Sequence, residues 1–270
     1  MKKHLITAGK AIAFFTLWGA SLAVMVIPAL DKPAFLNNNA AFLRLWWELV
    51  PLLSVLIITG IFVWVIEKSK ITVLILKRPL KNIIFGMLLG CVWLGATILF
   101  LCIIGVLRFV DKNRVSYLVI WFIAALLNVI MQEYLVRGYL FSLFKKNYNT
   151  VVAVIVTTIL FTAMHAGAFE AGAVAVFNVA TMSIFVSLLL IYTESLLAPI
   201  MVHFIWNSAG HLIFGVISLA DDYPKLWNGR LSGNNLLSGG VAQIEGSIVV
   251  LAMNLFLISF MAYLLKRRAK

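Results

Sequence analysis

The amino-acid sequence predicts an all-α protein, a polytopic transmembrane helical bundle of about eight spans. Three observations carry this expectation. Apolar residues make up 63% of the chain and charged residues 12%, outside the composition of water-soluble domains. Mean hydropathy is +1.04. The 22 Lys and Arg and the 10 Asp and Glu fall mostly in short gaps between long apolar runs. Those runs are about 20 residues each, the length that crosses about 30 Å of hydrocarbon.

The apolar windows are 11–30, 45–66, 83–107, 117–144, 150–168, 171–193, 195–217 and 247–265. The first follows Lys2, Lys3 and Lys10. It is longer than the apolar core of a secretory signal and lacks a small-residue cleavage site, so it reads as a retained span. The second holds Trp46, Trp47 and Trp64, which suit a bilayer interface. Pro51 and, in the seventh, Pro199 fall near span starts, where a missing N–H costs little. The third carries Cys91 and Cys102, about 16 Å apart on a helix and too far for a disulfide. Trp206 lies deep in the seventh and reads as a packing residue, while the Gly-, Asn-, Asp- and Ser-rich segment 218–246 reads as one long loop. Residues 1–270 thus form a single membrane domain with a motif-bearing core at 117–210.

The net charge of +12 is spread over several loops with no recognition module, so it argues for topology determinants and against nucleic acid. With loops assigned alternately from an inside N-terminus, fourteen Lys and Arg lie on the inner side and seven on the outer, with Arg137 left within a span. The positive-inside rule then puts both termini in the cytoplasm of what reads as a bacterial cell membrane, the bilayer itself being one partner.

Ionisable residues inside spans are costly, and each is a functional candidate. The fourth window contains Gln132, Glu133 and Arg137, the fifth Phe161 and His165, the seventh His203 and Asn207. Glu133 and Arg137 share a helix face at four-residue spacing, as do His203 and Asn207. Counting from the turns at 144–150 and 193–195, a rise of 1.5 Å per residue puts Glu133 at about 17 Å, His165 at about 22 Å, His203 at about 12 Å and Asn207 at about 18 Å. A single buried site is therefore permitted. A carboxylate with a histidine can activate water, directly or beside a metal. A second histidine and an Asn are suitable donors to an oxyanion, and Arg137 would hold the carboxylate ionised. Taken singly, each is also explained as a structural pair or a helix-to-helix hydrogen bond. His211, on the same stripe as His203, reads as structural, Phe161 as packing under His165, and Glu48, Glu170 and Glu194, near span ends, as solvated.

Gln132-Glu133-x-x-x-Arg137-Gly138, Phe161-x-x-x-His165 and His203-x-x-x-Asn207 resemble, in order, the motifs of the CPBP family of CAAX prenyl endopeptidases and bacteriocin-processing intramembrane proteases. The resemblance covers about residues 117–210 and implies an eight-helix intramembrane endopeptidase acting on a peptide or membrane-anchored protein substrate. It implies catalytic roles for Glu133, His165, His203, Asn207 and Arg137. One position departs: the family's usual general base is the first residue of a Glu-Glu pair, and here that residue is Gln132. The two positions are about 100° apart on a helix, so Glu133 does not occupy the same space. Either Glu133 is the base, or the chain is a weak or inactive relative acting as a membrane scaffold, regulator or bacteriocin-immunity protein. The cofactor stays open between zinc and none. Zinc on His165 and His203 would need Glu133 or Asn207 as a third ligand. A proton-relay transporter is disfavoured, because no paired broken helices or repeated halves are seen.

Overall fold

The computed structural model describes residues 2–218 and 222–268. Backbone packing divides the chain into two compact units, Met1–Leu74 with Tyr117–Thr157, and Ile75–Ser116 with Thr158–Lys270. Among the described residues, six helical stretches are long and apolar enough to cross a membrane: Lys2–Val26, Ala40–Ile66, Pro79–Ile103, Leu118–Asn147, Ala173–Thr193 and Gly240–Arg268. The chain is an all-α multi-pass membrane protein. The fifth and seventh windows also form helix, but the fifth ends at Ala163 after 14 residues, and the seventh is the 8-residue α-helix Leu197–Phe204 continued by the 9-residue π-helix Ile205–Ile213.

In the first unit, Ala40–Gly60 packs against Leu118–Glu133 and against Lys2–Ser21. Asn39 starts the Ala40 helix by accepting from the backbone N–H of Ala41 at 3.1 Å and Phe42 at 3.4 Å, satisfying two of the donors that a helix start leaves open. Pro51 lies inside this helix and not near its start as the window suggested, because the helix begins at Ala40. An aromatic trio closes the unit: Phe14 lies 5.2 Å from Phe62 and 4.9 Å from Tyr139 between ring centroids. All three are at most 1% exposed. The Tyr139 hydroxyl donates to Glu67 at 3.1 Å, and Glu67 pairs with Lys10 at 2.6 Å.

In the second unit, the Pro79 helix meets the Leu197 helix through Gly86 and Gly90. A Cβ at Gly86 would stand 2.5 Å from the Ala198 carbonyl oxygen, and one at Gly90 would stand 2.9 Å from Ile205 Cβ. This is the small-residue spacing that lets membrane helices approach at backbone distance. Trp93 stacks on Trp206 at 3.8 Å, so Trp206 is a packing residue as its depth suggested. Ala173–Thr193 packs on Ile248–Arg268, where Asn254 donates to the Asn178 carbonyl at 3.1 Å.

The connections are more structured than loops. Leu107–Lys112 pairs antiparallel with Trp227–Leu231, and Asn235–Ser238 and Gly240–Gly246 are short helices, so 218–246 is not one long loop. Residues 219–221 of that segment lie outside the described residues. Ser195 accepts from the Leu197 N–H at 3.3 Å, which helps start the helix that carries His203.

Beside Ser195, Glu194 is hydrogen-bonded by Lys77 and by Arg268, the latter at 2.6 Å. The Lys77 and then the Arg268 hydrogen bonds hold its carboxyl below the ordinary value of 4.5. A depressed folded value means that this contribution is complete above pH 4.5 and fades as pH falls through the folded value. Thermal unfolding in detergent should therefore show a small loss of midpoint below about pH 4.5, and Glu194→Gln should flatten it. An identical acid limb in the variant would remove Glu194 as its source.

Candidate active site

The first unit places Glu133 as the last α-helical residue before the π-helix Tyr134–Leu140, which carries Arg137. A π-turn inside an α-helix is uncommon and concentrates at functional sites. Arg137 Nη1 donates to Glu133 Oε1 at 2.9 Å and Oε2 at 2.8 Å, and both side chains are 0% exposed. The predicted i, i+4 pair is thus formed, with one nitrogen bridging both carboxylate oxygens.

Gln132 faces a different neighbour. Its Nε2 donates to Asn128 Oδ1 at 2.6 Å, and Asn128 Nδ2 donates to Glu48 Oε2 at 2.8 Å. Glu48 Oε1 pairs with Arg44 at 2.5 Å. Glu48 is only 3% exposed and is not solvated as its place in the sequence suggested, because the Ala40 helix begins earlier than the window and carries it inside. Neither Asn128 nor Arg44 stood out in the sequence. The signal was present as two polar i, i+4 pairs, Arg44 with Glu48 and Asn128 with Gln132, inside apolar runs.

The second unit brings Phe161, His165, His203 and Asn207 together. His165 does not lie on a span as predicted: the helix stops at Ala163, and His165 is the residue from which the short helix Ala166–Ala171 starts. The depth obtained from a continuous helix therefore does not apply to it. Its Nδ1 meets the Phe161 carbonyl oxygen at 2.7 Å, so Nδ1 carries a proton there. The Phe161 ring lies 4.3 Å from His165 and 5.9 Å from His203 between centroids, and holds both imidazoles. On the neighbouring helix, Asn207 Nδ2 faces His203 Nε2 at 3.2 Å. A carboxamide nitrogen can only donate, so His203 accepts there and carries its own proton on Nδ1. One donor of the pair is thus used within the pair. His211 contacts the carbonyls of Ile217 and Tyr223 at 2.6 and 3.0 Å and clamps that connection.

Among the described residues no three His, Cys, Asp or Glu side chains are grouped to hold a metal.

The motif residues from Gln132 to Asn207 lie in one stretch of chain, and that stretch has a counterpart among known families. Residues 114–209 match the Rce1-like family model, type II CAAX prenyl endopeptidase. The Rce1-like segment begins ahead of the Leu118 helix and ends just past Asn207, so it contains every motif residue in both units. Comparison with curated proteins and with solved structures finds no match. The matched stretch is the one that carries the three motifs.

Proposed function

We propose that this chain is an intramembrane endopeptidase that hydrolyses a peptide bond in a peptide or membrane-anchored, lipid-modified substrate. The observation that carries the reading is that the Rce1-like match runs from ahead of Glu133 to just past Asn207 and so encloses the chain's motif residues. Water adds to the scissile carbonyl carbon; the proton it loses is assigned to Glu133, and a share in its activation to His165. Charge developing on the carbonyl oxygen is assigned to His203 and Asn207, the second amide proton of Asn207 being a donor to it. The C–N bond then breaks, and the proton is delivered to the leaving amine. Arg137 pairs with Glu133 and fixes the direction of its carboxylate. No step is routed through a metal.

Purified protein in detergent should cleave members of a peptide library that includes lipid-modified peptides. Glu133→Gln and His165→Ala should each lower the rate by at least about 100-fold. Undiminished cleavage in both variants would sink the mechanism.

One observation favours a second reading. Both oxygens of Glu133 are engaged by Arg137, and its neighbour is a carboxamide, so a non-catalytic scaffold or immunity role is also consistent with the geometry. Such a protein should keep its cellular phenotype in His165→Ala, whereas an enzyme should lose it.

A further inference from the structure

The chain of hydrogen bonds ending at Gln132 has a direction, and that direction is set far from Gln132 in sequence. Glu48 is an ion-paired carboxylate and can only accept. It therefore turns the Asn128 amide so that Nδ2 faces Glu48 and Oδ1 faces away. Asn128 Oδ1 in turn can only accept, so Gln132 must present Nε2 to it. The remaining atom is Gln132 Oε1, which is buried and has no hydrogen-bond partner. Leaving a buried acceptor unpaired is costly, so the position calls for a donor.

We propose that Gln132 Oε1 orients the attacking water, and that Glu48 is a positioning residue that fixes this oxygen through Asn128. The inference rests on the hydrolytic reading above. In it Gln132 keeps the accepting half of a carboxylate and leaves proton removal to Glu133. The negative charge that would otherwise stand at position 132 stands at position 48, at the other end of one carboxamide. Water donates one O–H to Gln132 Oε1 and loses the other proton as its oxygen bonds to the carbonyl carbon.

The relay is reversible on paper, and this gives the test. In Glu48→Gln the direction is no longer imposed, and turnover should fall by about 10- to 100-fold with KM little changed. Gln132→Glu alone puts carboxylates at both ends of Asn128, so it should lower turnover and thermal midpoint and bring no gain. The double variant Glu48→Gln with Gln132→Glu reverses both bonds of Asn128: its Nδ2 donates to the new carboxylate and its Oδ1 accepts from the new carboxamide, whose oxygen stays with Arg44. It should recover both quantities to within about threefold of the parent in rate, a strongly non-additive cycle. Additive effects on the thermal midpoint would overturn the relay. A coupled midpoint with unchanged turnover in Glu48→Gln would overturn the water-orienting role. A parent protein that cleaves nothing in the library would overturn the hydrolytic reading, and the midpoint cycle would still decide whether the relay exists.

Discussion

Arg137→Ala is expected to cost about 3–5 kcal/mol, because it leaves the Glu133 carboxylate buried without its countercharge. Both side chains are 0% exposed, and Arg137 Nη1 lies 2.8 and 2.9 Å from the two oxygens. In a membrane protein no bulk water is at hand to take over that role. The thermal midpoint in one fixed detergent should drop sharply, with loss of folded protein at ordinary growth temperature. Replacing both residues by Leu removes both charges together. Such replacement of a buried pair by apolar side chains is often neutral or stabilising by about 1–4 kcal/mol, so the double variant should fold again. It should nevertheless cleave nothing. This combination, a stable protein without activity, separates the stabilising role of the pair from its chemical one. An unchanged midpoint in Arg137→Ala would mean that Glu133 has access to another neutralising group or to water.

The second large effect is expected where no charge is involved. Gly86→Ala puts a methyl group 2.5 Å from the Ala198 carbonyl oxygen and 2.8 Å from Met201 Cβ, and backbone there cannot give way locally. Overpacking of this kind costs about 1–3 kcal/mol. The helix that must move carries His203 and Asn207, so the functional loss should exceed the loss of stability. A misplacement of about 1 Å in reacting groups can cost about 100-fold in rate. Gly95→Ala, on the same helix with nothing within 4 Å of the added carbon, is the matched control. It should be neutral or gain up to about 1 kcal/mol from the better helix former. Equal behaviour of the two variants in midpoint and cleavage assays would show that close approach at Gly86 does not position the Leu197 helix.

Much of this was legible in the chain because lipid simplifies the code. Where the solvent is hydrocarbon, a run of about 20 apolar residues has few alternatives to a helix, so the long spans follow from hydropathy alone. Glu133 with Arg137, and His203 with Asn207, were legible for a similar reason, since i, i+4 spacing fixes a shared face once the helix is granted. The rest depended on information that hydropathy does not carry. The stop after Ala163 is invisible to it, because Met164, His165, Ala166 and Gly167 continue an unremarkable apolar window. The pairing of Leu107–Lys112 with Trp227–Leu231 joins segments more than a hundred residues apart, and no local pattern announces it. Glu48 was misjudged because its burial depends on where the Ala40 helix starts, and Asn39 sets that start by capping. The link from Glu48 through Asn128 to Gln132 crosses between helices, and only tertiary structure can bring it out.

The early end of the Thr150 helix has a consequence for the bilayer. Fourteen residues at 1.5 Å each reach about 21 Å, well short of the roughly 30 Å of hydrocarbon in an ordinary membrane. A short hydrophobic element is met by local thinning of the lipid or by polar groups reaching in from the interface. The residues that follow it, Ala166–Ala171, are mostly exposed and end at Glu170 and Ala171. Along this stretch a depressed membrane surface is expected, with headgroups and water drawn closer to the midplane than elsewhere. On the proposed hydrolytic reading, a peptide tethered to lipid would have a shorter climb out of the leaflet there.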